Sequence, residues 1–144
     1  MKSNSVKFAR IVLLPIILLL SISLTSCYTI RERMYYSEKD NYINVTGTVN
    51  YIVYNDDHTA LYFEFSDLNP EFGDNCFKIV GKNLMIVQEN GIDKKIELGD
   101  EIQFITAPRY FGDGYVMPIV GISVDGETLL DFEQGYDNFL EWLK

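Results

Sequence analysis

One stretch decides the fold, because side chains of two kinds alternate along it: Val45-Thr46-Gly47-Thr48-Val49-Asn50-Tyr51-Ile52-Val53-Tyr54. A period of two, in residues that are mostly β-branched or aromatic, predicts a β-strand. Unbroken alternation would place Val45, Tyr51 and Val53 on one face of this strand and Tyr54 on the other. The polar residues Asn55 to His58 come next and are typical of a turn. Residues 61–66 then alternate again, so we expect the two strands to pair as a hairpin.

Four more strands and a helix are expected beyond the hairpin. The strands are, in chain order, Phe77–Ile79, Ile102–Phe104, Val116–Val124 and Glu127–Phe132. A tight turn over residues 98–101 leads into the fourth strand, and Asp125-Gly126 is a strong signal for a type I′ hairpin between the fifth and sixth. Apolar residues then recur at helical spacing, which predicts a short amphipathic C-terminal helix with Asp137 near its start. They are Tyr136, Phe139, Leu140 and Leu143.

Residues 83–92 have two interpretations. They could form a strand that ends in an Asn-Gly hairpin turn. A short helix is favoured, because Asn83 is a good N-cap and Leu84 and Val87 would share a face. Gly91 stands where the glycine that follows a helix belongs, and Ile92 could make the hydrophobic contact that accompanies it.

The predicted elements resemble an OB-fold over residues 44–132. The resemblance rests on five short strands, a helix between the third and fourth, and the Leu98-Gly99-Asp100 turn into the fourth. The expected fold is therefore mainly β, a small five- to six-stranded OB-like barrel with a short helix after strand three and a C-terminal helix. Another small barrel or a two-layer α+β sheet are the alternatives. The resemblance implies ligand binding on the face of strands two and three.

The N-terminus has the features of a secretory signal. Lys2, Lys7 and Arg10 precede an apolar run, Ile11 to Leu24, that ends at small residues. The run would be about 21 Å long as a helix, whereas a hydrocarbon core of about 30 Å needs roughly 20 residues. A basic region followed by a short apolar run and a small-residue cleavage site predicts a signal peptide rather than a spanning helix.

Leu24-Thr25-Ser26-Cys27 resembles the lipobox of bacterial lipoproteins. The resemblance implies that a diacylglyceryl group is attached to the Cys27 sulfur and that cleavage makes Cys27 the mature N-terminus. Two acyl chains hold a protein firmly to a membrane. We therefore expect a signal peptide over residues 1–26, a lipidated linker over residues 27–43 and an OB-like domain over residues 44–144. The composition, rich in Ile, Asn, Tyr and Asp, resembles that of a low-GC Gram-positive genome. We therefore expect the lipid-anchored protein on the extracytoplasmic face of the membrane, at a Gram-positive cell surface.

Charge and cysteine content exclude several functions. The leader holds three of the 12 basic residues and none of the 21 acidic ones, so the remaining nine basic and 21 acidic residues give a net charge of −12. Such a charge opposes nucleic acid and anionic lipid. If Cys27 carries lipid, Cys76 has no disulfide partner and is expected to be a buried apolar residue.

No catalytic or metal-binding pattern emerges, so neither enzyme activity nor a cofactor is expected. His58 is the only histidine and lies in a polar turn, where no Ser or Cys is placed for it to activate. Asp56 and Asp57 beside it match no calcium loop. One histidine and one thiol cannot supply the four ligands of a zinc site.

One loop is a candidate ligand site. Residues 109–115 combine an arginine, three aromatic residues and two glycines in an acidic domain. Exposed aromatic rings beside a hydrogen-bonding arginine suit a sugar, peptide or protein ligand. Outward-facing tyrosines on the first hairpin would extend this surface; the full candidate set is Tyr54, Tyr62, Arg109, Tyr110 and Tyr115. The loop could equally be a connection whose rings cover the end of the barrel.

Together these features predict a membrane-anchored, non-catalytic binding module for a protein or a cell-wall glycan. The alternatives are a structural subunit of an envelope complex and, third, an enzyme that acts on envelope polymers.

Overall fold

The computed structural model describes residues 30–68, 72, 76–109, 111 and 116–144. The chain divides into two units, Met1–Met34 and Tyr35–Lys144. In the first unit, the described residues 30–34 are helical. The second unit holds the elements β1 (Ile43–Tyr54), β2 (Ala60–Ser66), β3 (Cys76–Val80), α1 (Gly81–Glu89), α2 (Ile92–Lys95), β4 (Glu101–Thr106), β5 (Val116–Val124), β6 (Glu127–Leu130) and α3 (Phe132–Trp142).

The six strands form one sheet in the order β3-β2-β1-β4-β5-β6, with neighbours antiparallel. The start of β5 also pairs in parallel with β3, where Phe77 lies opposite Met117. This pairing closes β1, β2, β3, β5 and β4 into a ring that is not a regular barrel, while β6 extends the sheet beyond β5. The prediction of a mainly β fold is confirmed.

A β-bulge in β1 changes which side chains face out. Val49 lies opposite Phe65, but Tyr51, two residues later, lies opposite the adjacent residue Glu64. The extra residue is Asn50, and an extra residue reverses the alternation of every side chain beyond it. The expectation of unbroken alternation is therefore wrong. Beyond the bulge, Ile52 and Tyr54 pack against the core, and Tyr51 and Val53 are exposed.

Aromatic rings fill the interior of the ring of strands. Phe65 stacks on Phe104 with ring centroids 4.4 Å apart, and Phe77 meets Phe104 edge-on at 5.0 Å. Phe63 stacks on Phe65 at 5.7 Å. Such pairs stabilise by about 0.5–1.5 kcal/mol each beyond the burial of their area. The inward-facing positions of three strands, β2, β3 and β4, supply these rings, so their side chains pack together inside the ring of strands.

The ambiguous segment is helical. The helix α1 begins at Gly81, two residues before the expected cap, and its N-cap is Val80. Asn83 is buried instead, and its Nδ2 donates to the Gly135 carbonyl at 2.8 Å, which joins α1 to α3. At the other end Gly91 follows the helix with a φ of +80°, and Ile92 is fully buried. The predicted helix end is confirmed, whereas the predicted cap at Asn83 is wrong.

The C-terminal helix packs on the outside of the sheet. It begins at Phe132, earlier than the sequence spacing indicated, because the Asp131 side chain caps it by accepting a hydrogen bond from the Gln134 amide. A Cβ added at Gly135 would lie 1.9 Å from the Val120 carbonyl oxygen. Only glycine allows the helix to approach β5 this closely.

Residues 35–42, expected to belong to a linker, pack against the folded domain. Tyr36 is 2% exposed and lies in an outer cluster that covers the sheet. The buried members of this outer cluster are Tyr36, Ala60, Val80, Ala107, Val120 and Phe139. The domain therefore begins at about Tyr35 rather than at residue 44. Among the described residues, no helix is both long and apolar enough to cross a membrane.

Candidate binding surface

A row of large side chains crosses the outer side of three strands. The ladder places Val53 of β1 opposite Tyr62 of β2, and Tyr62 opposite Lys78 of β3. The row then reaches α3, because the Lys78 ammonium lies 5.1 Å from the centroid of the Trp142 ring. We call Tyr51, Val53, Tyr62, Lys78 and Trp142 the aromatic face. Three of its members are well exposed: Tyr51 at 47%, Val53 at 39% and Trp142 at 48%.

The position of the Trp142 ring depends on a glycine at the junction of β3 and α1. Gly81 has a φ of +59°, and a Cβ added there would lie 2.9 Å from Trp142 Cδ1. The ring also stacks on Phe139, with centroids 5.9 Å apart. One side of the indole is thus held by the fold while much of the ring remains exposed. A side chain fixed in this way loses little rotamer freedom on binding.

Charged side chains border the aromatic face. Glu64 lies opposite Tyr51 in the ladder. Lys82 pairs with Glu141 at 2.7 Å beside the indole, and the hydrogen bond from Lys82 lowers the pKa of the Glu141 carboxyl. An apolar patch with a charged rim is the usual arrangement of a protein-binding surface.

Arg109 of the candidate loop is exposed and lies over two rings that pack against the outer cluster. Its guanidinium is 5.4 Å from the Tyr35 ring centroid and 5.1 Å from that of Phe111. The Tyr36 hydroxyl donates to the Arg109 carbonyl at 2.6 Å. Burial raises the pKa of Tyr35, although the nearby Arg109 charge lowers it. These contacts fix the start of the loop against residues 35–42.

The two candidate tyrosines of the hairpin do not share a surface. Tyr54 lies opposite Leu61 and so faces inward, whereas Tyr62 faces outward. The Tyr54 hydroxyl donates to Asp93 Oδ1 at 2.7 Å, and burial followed by this bond raises its pKa. Tyr62 packs against the outer cluster, as Tyr35 and Phe111 also do. The structure therefore places Tyr62 and Arg109 along one cluster and separates Tyr54 from both. Cys27, Tyr110 and Tyr115 lie outside the described residues.

Sequence reasoning missed Tyr51, Val53 and Trp142. The bulge that turns Tyr51 and Val53 outward leaves no mark in the alternation. Trp142 did carry a signal, because it falls outside the apolar stripe of the C-terminal helix. A large aromatic residue off that stripe is expected to face solvent.

Groups for catalysis or metal binding do not converge in the part of the chain that the structure describes. Its His, Cys, Asp and Glu side chains form no group of three or more that could hold a metal ion. The His58 ring lies 5.2 Å from that of Tyr54 in the first turn. In comparisons with known proteins, no family model, no curated protein and no solved structure matches this chain.

Proposed function

We propose that this protein is a membrane-anchored, non-catalytic interaction module that binds a protein partner through its aromatic face. One observation carries the proposal: the bulge at Asn50 turns Tyr51 and Val53 out of the core and into a row with Tyr62 and Trp142. Full burial of a large apolar side chain contributes about 1.5–3 kcal/mol, and Tyr51 and Val53, at 47% and 39% exposed, forgo part of that energy. A binding partner that covers these side chains would recover that energy.

The chemistry of the aromatic face favours a protein over other ligands. Tyr and Trp are enriched among the residues that dominate binding energy in protein interfaces. Four members of the aromatic face stand on the outer side of the adjacent strands β1, β2 and β3, and an outer strand surface does not enclose a small molecule. The net charge of −12 outside the leader suits a partner whose own rim is basic.

An OB-fold is the second part of the proposal. Two observations support it: the ring order β1-β2-β3-β5-β4 with its parallel β3–β5 pair, and the position of α1 between β3 and β4. In an OB-fold the outer face of strands two and three is the usual binding surface. Tyr62 and Lys78 stand on that face here.

Lipid attachment at Cys27 is the third part. If the domain begins at Tyr35, residues 28–34 form the tether. Seven residues span at most about 23–25 Å, and the tether is shorter than that because residues 30–34 are helical. Its reach is therefore less than half of what an extended linker running to residue 43 would give. A short tether keeps the aromatic face near the membrane, where an envelope partner anchored in the same membrane would meet it.

Site-specific photo-crosslinking in cells tests the proposed surface. A photoreactive phenylalanine derivative replaces Tyr51 or, separately, Trp142. Matched controls carry it at Leu98 and Met85, which are even more exposed, at 66% and 59%, but lie on other elements. We expect the same discrete adduct from both positions of the aromatic face and none from the controls. Equal adducts at all four positions, or none at Tyr51 and Trp142, would contradict the proposed surface.

The anchor is tested separately. Cys27→Ser should release the protein from the membrane fraction, whereas Cys76→Ser should leave it there. If the Cys27 variant stayed in the membrane fraction, the proposed lipid anchor would be contradicted. The proposal that the aromatic face binds a protein would not be affected.

A further inference from the structure

A second, polar surface lies on the outer side of β1, β4, β5 and β6. The ladders align one side chain from each strand in a single row: Thr46, Gln103, Ser123 and Thr128. The Ser123 hydroxyl donates to the Thr128 hydroxyl at 3.4 Å. All four side chains are uncharged, although the described chain is acidic. The row is therefore a neutral hydrogen-bonding strip across four strands.

Two adjoining shallow grooves run along this strip. One, of about 170 Å³, lies between Asn44 and the start of α3, and the other, of about 190 Å³, reaches the β5–β6 turn. Gln103 and Ser123 line both grooves. Each volume is below the range of roughly 300–1,000 Å³ in which proteins enclose small ligands. The grooves fit a chain molecule that lies along the surface and places one unit in each.

The lining of the grooves selects the charge of the ligand. Among the residues that the structure describes, no Lys, Arg or His lines either groove, while Asp131 stands at one end and Glu101 and Asp125 stand at the other. Anionic ligands are repelled by such ends. The amides of Asn44 and Gln103 offer both donors and acceptors, and hydroxyl groups do the same. These side chains can therefore exchange hydrogen bonds in both directions with a ligand that is rich in hydroxyl groups.

The first groove also has an apolar part. Ile105, Gly121 and Phe132 contribute to its lining, and a Cβ added at Gly121 would lie only 3.0 Å from Ile105 Cδ1. An apolar part beside hydrogen-bonding side chains fits a ring that has C–H groups on its face and hydroxyls around its rim. A pyranose ring has this form.

From the strip, the grooves and the lining we infer a binding site for a neutral glycan chain on β4 and β5. The site is separate from the aromatic face and does not depend on the proposed function. Phe132 begins α3 at the grooves and Trp142 ends it at the aromatic face, so the two surfaces are about 15 Å apart along that helix. The protein would hold a polysaccharide with one surface and a protein partner with the other.

Nuclear magnetic resonance titration of the whole protein in detergent micelles tests this site. The probes are the hexamers of N-acetylglucosamine, β-1,4-linked glucose and α-1,4-linked glucose, with the galacturonic acid hexamer as an anionic comparison. We expect at least one neutral hexamer to shift the backbone amide signals of Gln103, Ser123 and Thr128. Gln103→Leu should weaken its binding about tenfold, the effect of losing one well-made amide contact. The same substitution at Gln88, an exposed glutamine on α1, is the control and should have no effect.

Three results would overturn the inference. They are the absence of shifts with all three neutral hexamers, shifts confined to Tyr51 and Tyr62, and equal binding of the anionic hexamer. None of these results affects the crosslinking test of the aromatic face, so the two proposed surfaces are tested independently.

Discussion

Tyr54 and Tyr62, on the two strands of one hairpin, point to opposite sides of the sheet. Tyr54 lies opposite Leu61 on the inner side, and Tyr62 lies opposite Val53 on the outer side. The bulge at Asn50 sets this relationship, since it turns Tyr54 inward to bond Asp93 and turns Val53 outward. One extra residue therefore places Tyr54 against the core and Val53 in the aromatic face.

Inserting one alanine directly after Asn50 should destabilise the protein. A second extra residue would turn Ile52 and Tyr54 away from the core that they pack against. We expect the free energy of unfolding in urea to fall by about 1.5 kcal/mol or more, because both side chains are partly buried and full burial of one contributes about 1.5–3 kcal/mol. Deleting Asn50 is the control: it removes the bulge but keeps the pairs from Tyr51 to Tyr54, so the change should stay within about 1 kcal/mol. Equal stabilities for the two variants would show that the facing of these side chains does not contribute to stability.

Gly135→Ala should disrupt the packing of α3 on the sheet. The added Cβ meets the Val120 carbonyl oxygen, a backbone atom that cannot turn aside. Overpacking of this kind costs about 3 kcal/mol, the upper part of its usual range. Gly99→Ala is the matched control, because its φ is +94° and nothing lies within 4 Å of the added Cβ. The control should cost only the backbone strain of about 1–2 kcal/mol, and thermal unfolding of both variants measures the difference.

Truncation locates the start of the domain. A chain that begins at Tyr35 should unfold at the same urea concentration as the complete protein. A chain that begins at Ile43 loses Tyr36, which is 2% exposed and contacts the rings of Phe111 and Phe139. Loss of a buried aromatic side chain costs about 3–5 kcal/mol. If both truncated chains were equally stable, residues 35–42 would be a linker after all.

The protein should lose stability as the pH rises above about 10. Burial raises the pKa of Tyr42 well above its ordinary value, and the neutral hydroxyl donates to the Tyr36 carbonyl at 3.0 Å. A raised pKa stabilises the fold below the ordinary pKa of about 10, and this contribution is lost at higher pH by about 1.4 kcal/mol per unit for each such group. Tyr42→Phe should make the free energy of unfolding fall less steeply between pH 9 and pH 11.5. An unchanged slope would contradict the burial of this hydroxyl.

Local patterns in the sequence predicted most of the strands. The fifth strand was predicted at its observed bounds, Val116–Val124. The predicted type I′ turn at Asp125-Gly126 agrees with the structure, because these residues have positive φ angles, 50° and 79°, as this turn requires. These features depend on neighbours in the chain, which a sequence displays directly.

Features that depend on distant neighbours were not predictable. Asn50 fits an alternating strand as well as a bulge, and only the partner β2 distinguishes the two. Asn83 has the chemistry of a helix cap, which a sequence displays. Its actual partner, the Gly135 carbonyl, lies 52 residues away, and the sequence does not display that contact. Tyr36 lies in a segment without a period, and it is buried by rings from the β4–β5 loop and α3. The candidate site also depends on distant neighbours, because the pairing of β1 with β2 decides which side of the sheet Tyr54 and Tyr62 face.

The binding affinity of the crosslinked partner for variants of the aromatic face tests the central claim most directly. Tyr51→Ala and Trp142→Ala should each weaken binding about 30-fold, which corresponds to the roughly 2 kcal/mol of a residue that dominates an interface. Leu98→Ala and Met85→Ala remove apolar side chains elsewhere that are even more exposed, and they should change the affinity less than about threefold. The claim that this face binds the partner would be contradicted if neither aromatic substitution changed the affinity, in variants whose free energy of unfolding equals that of the unsubstituted protein.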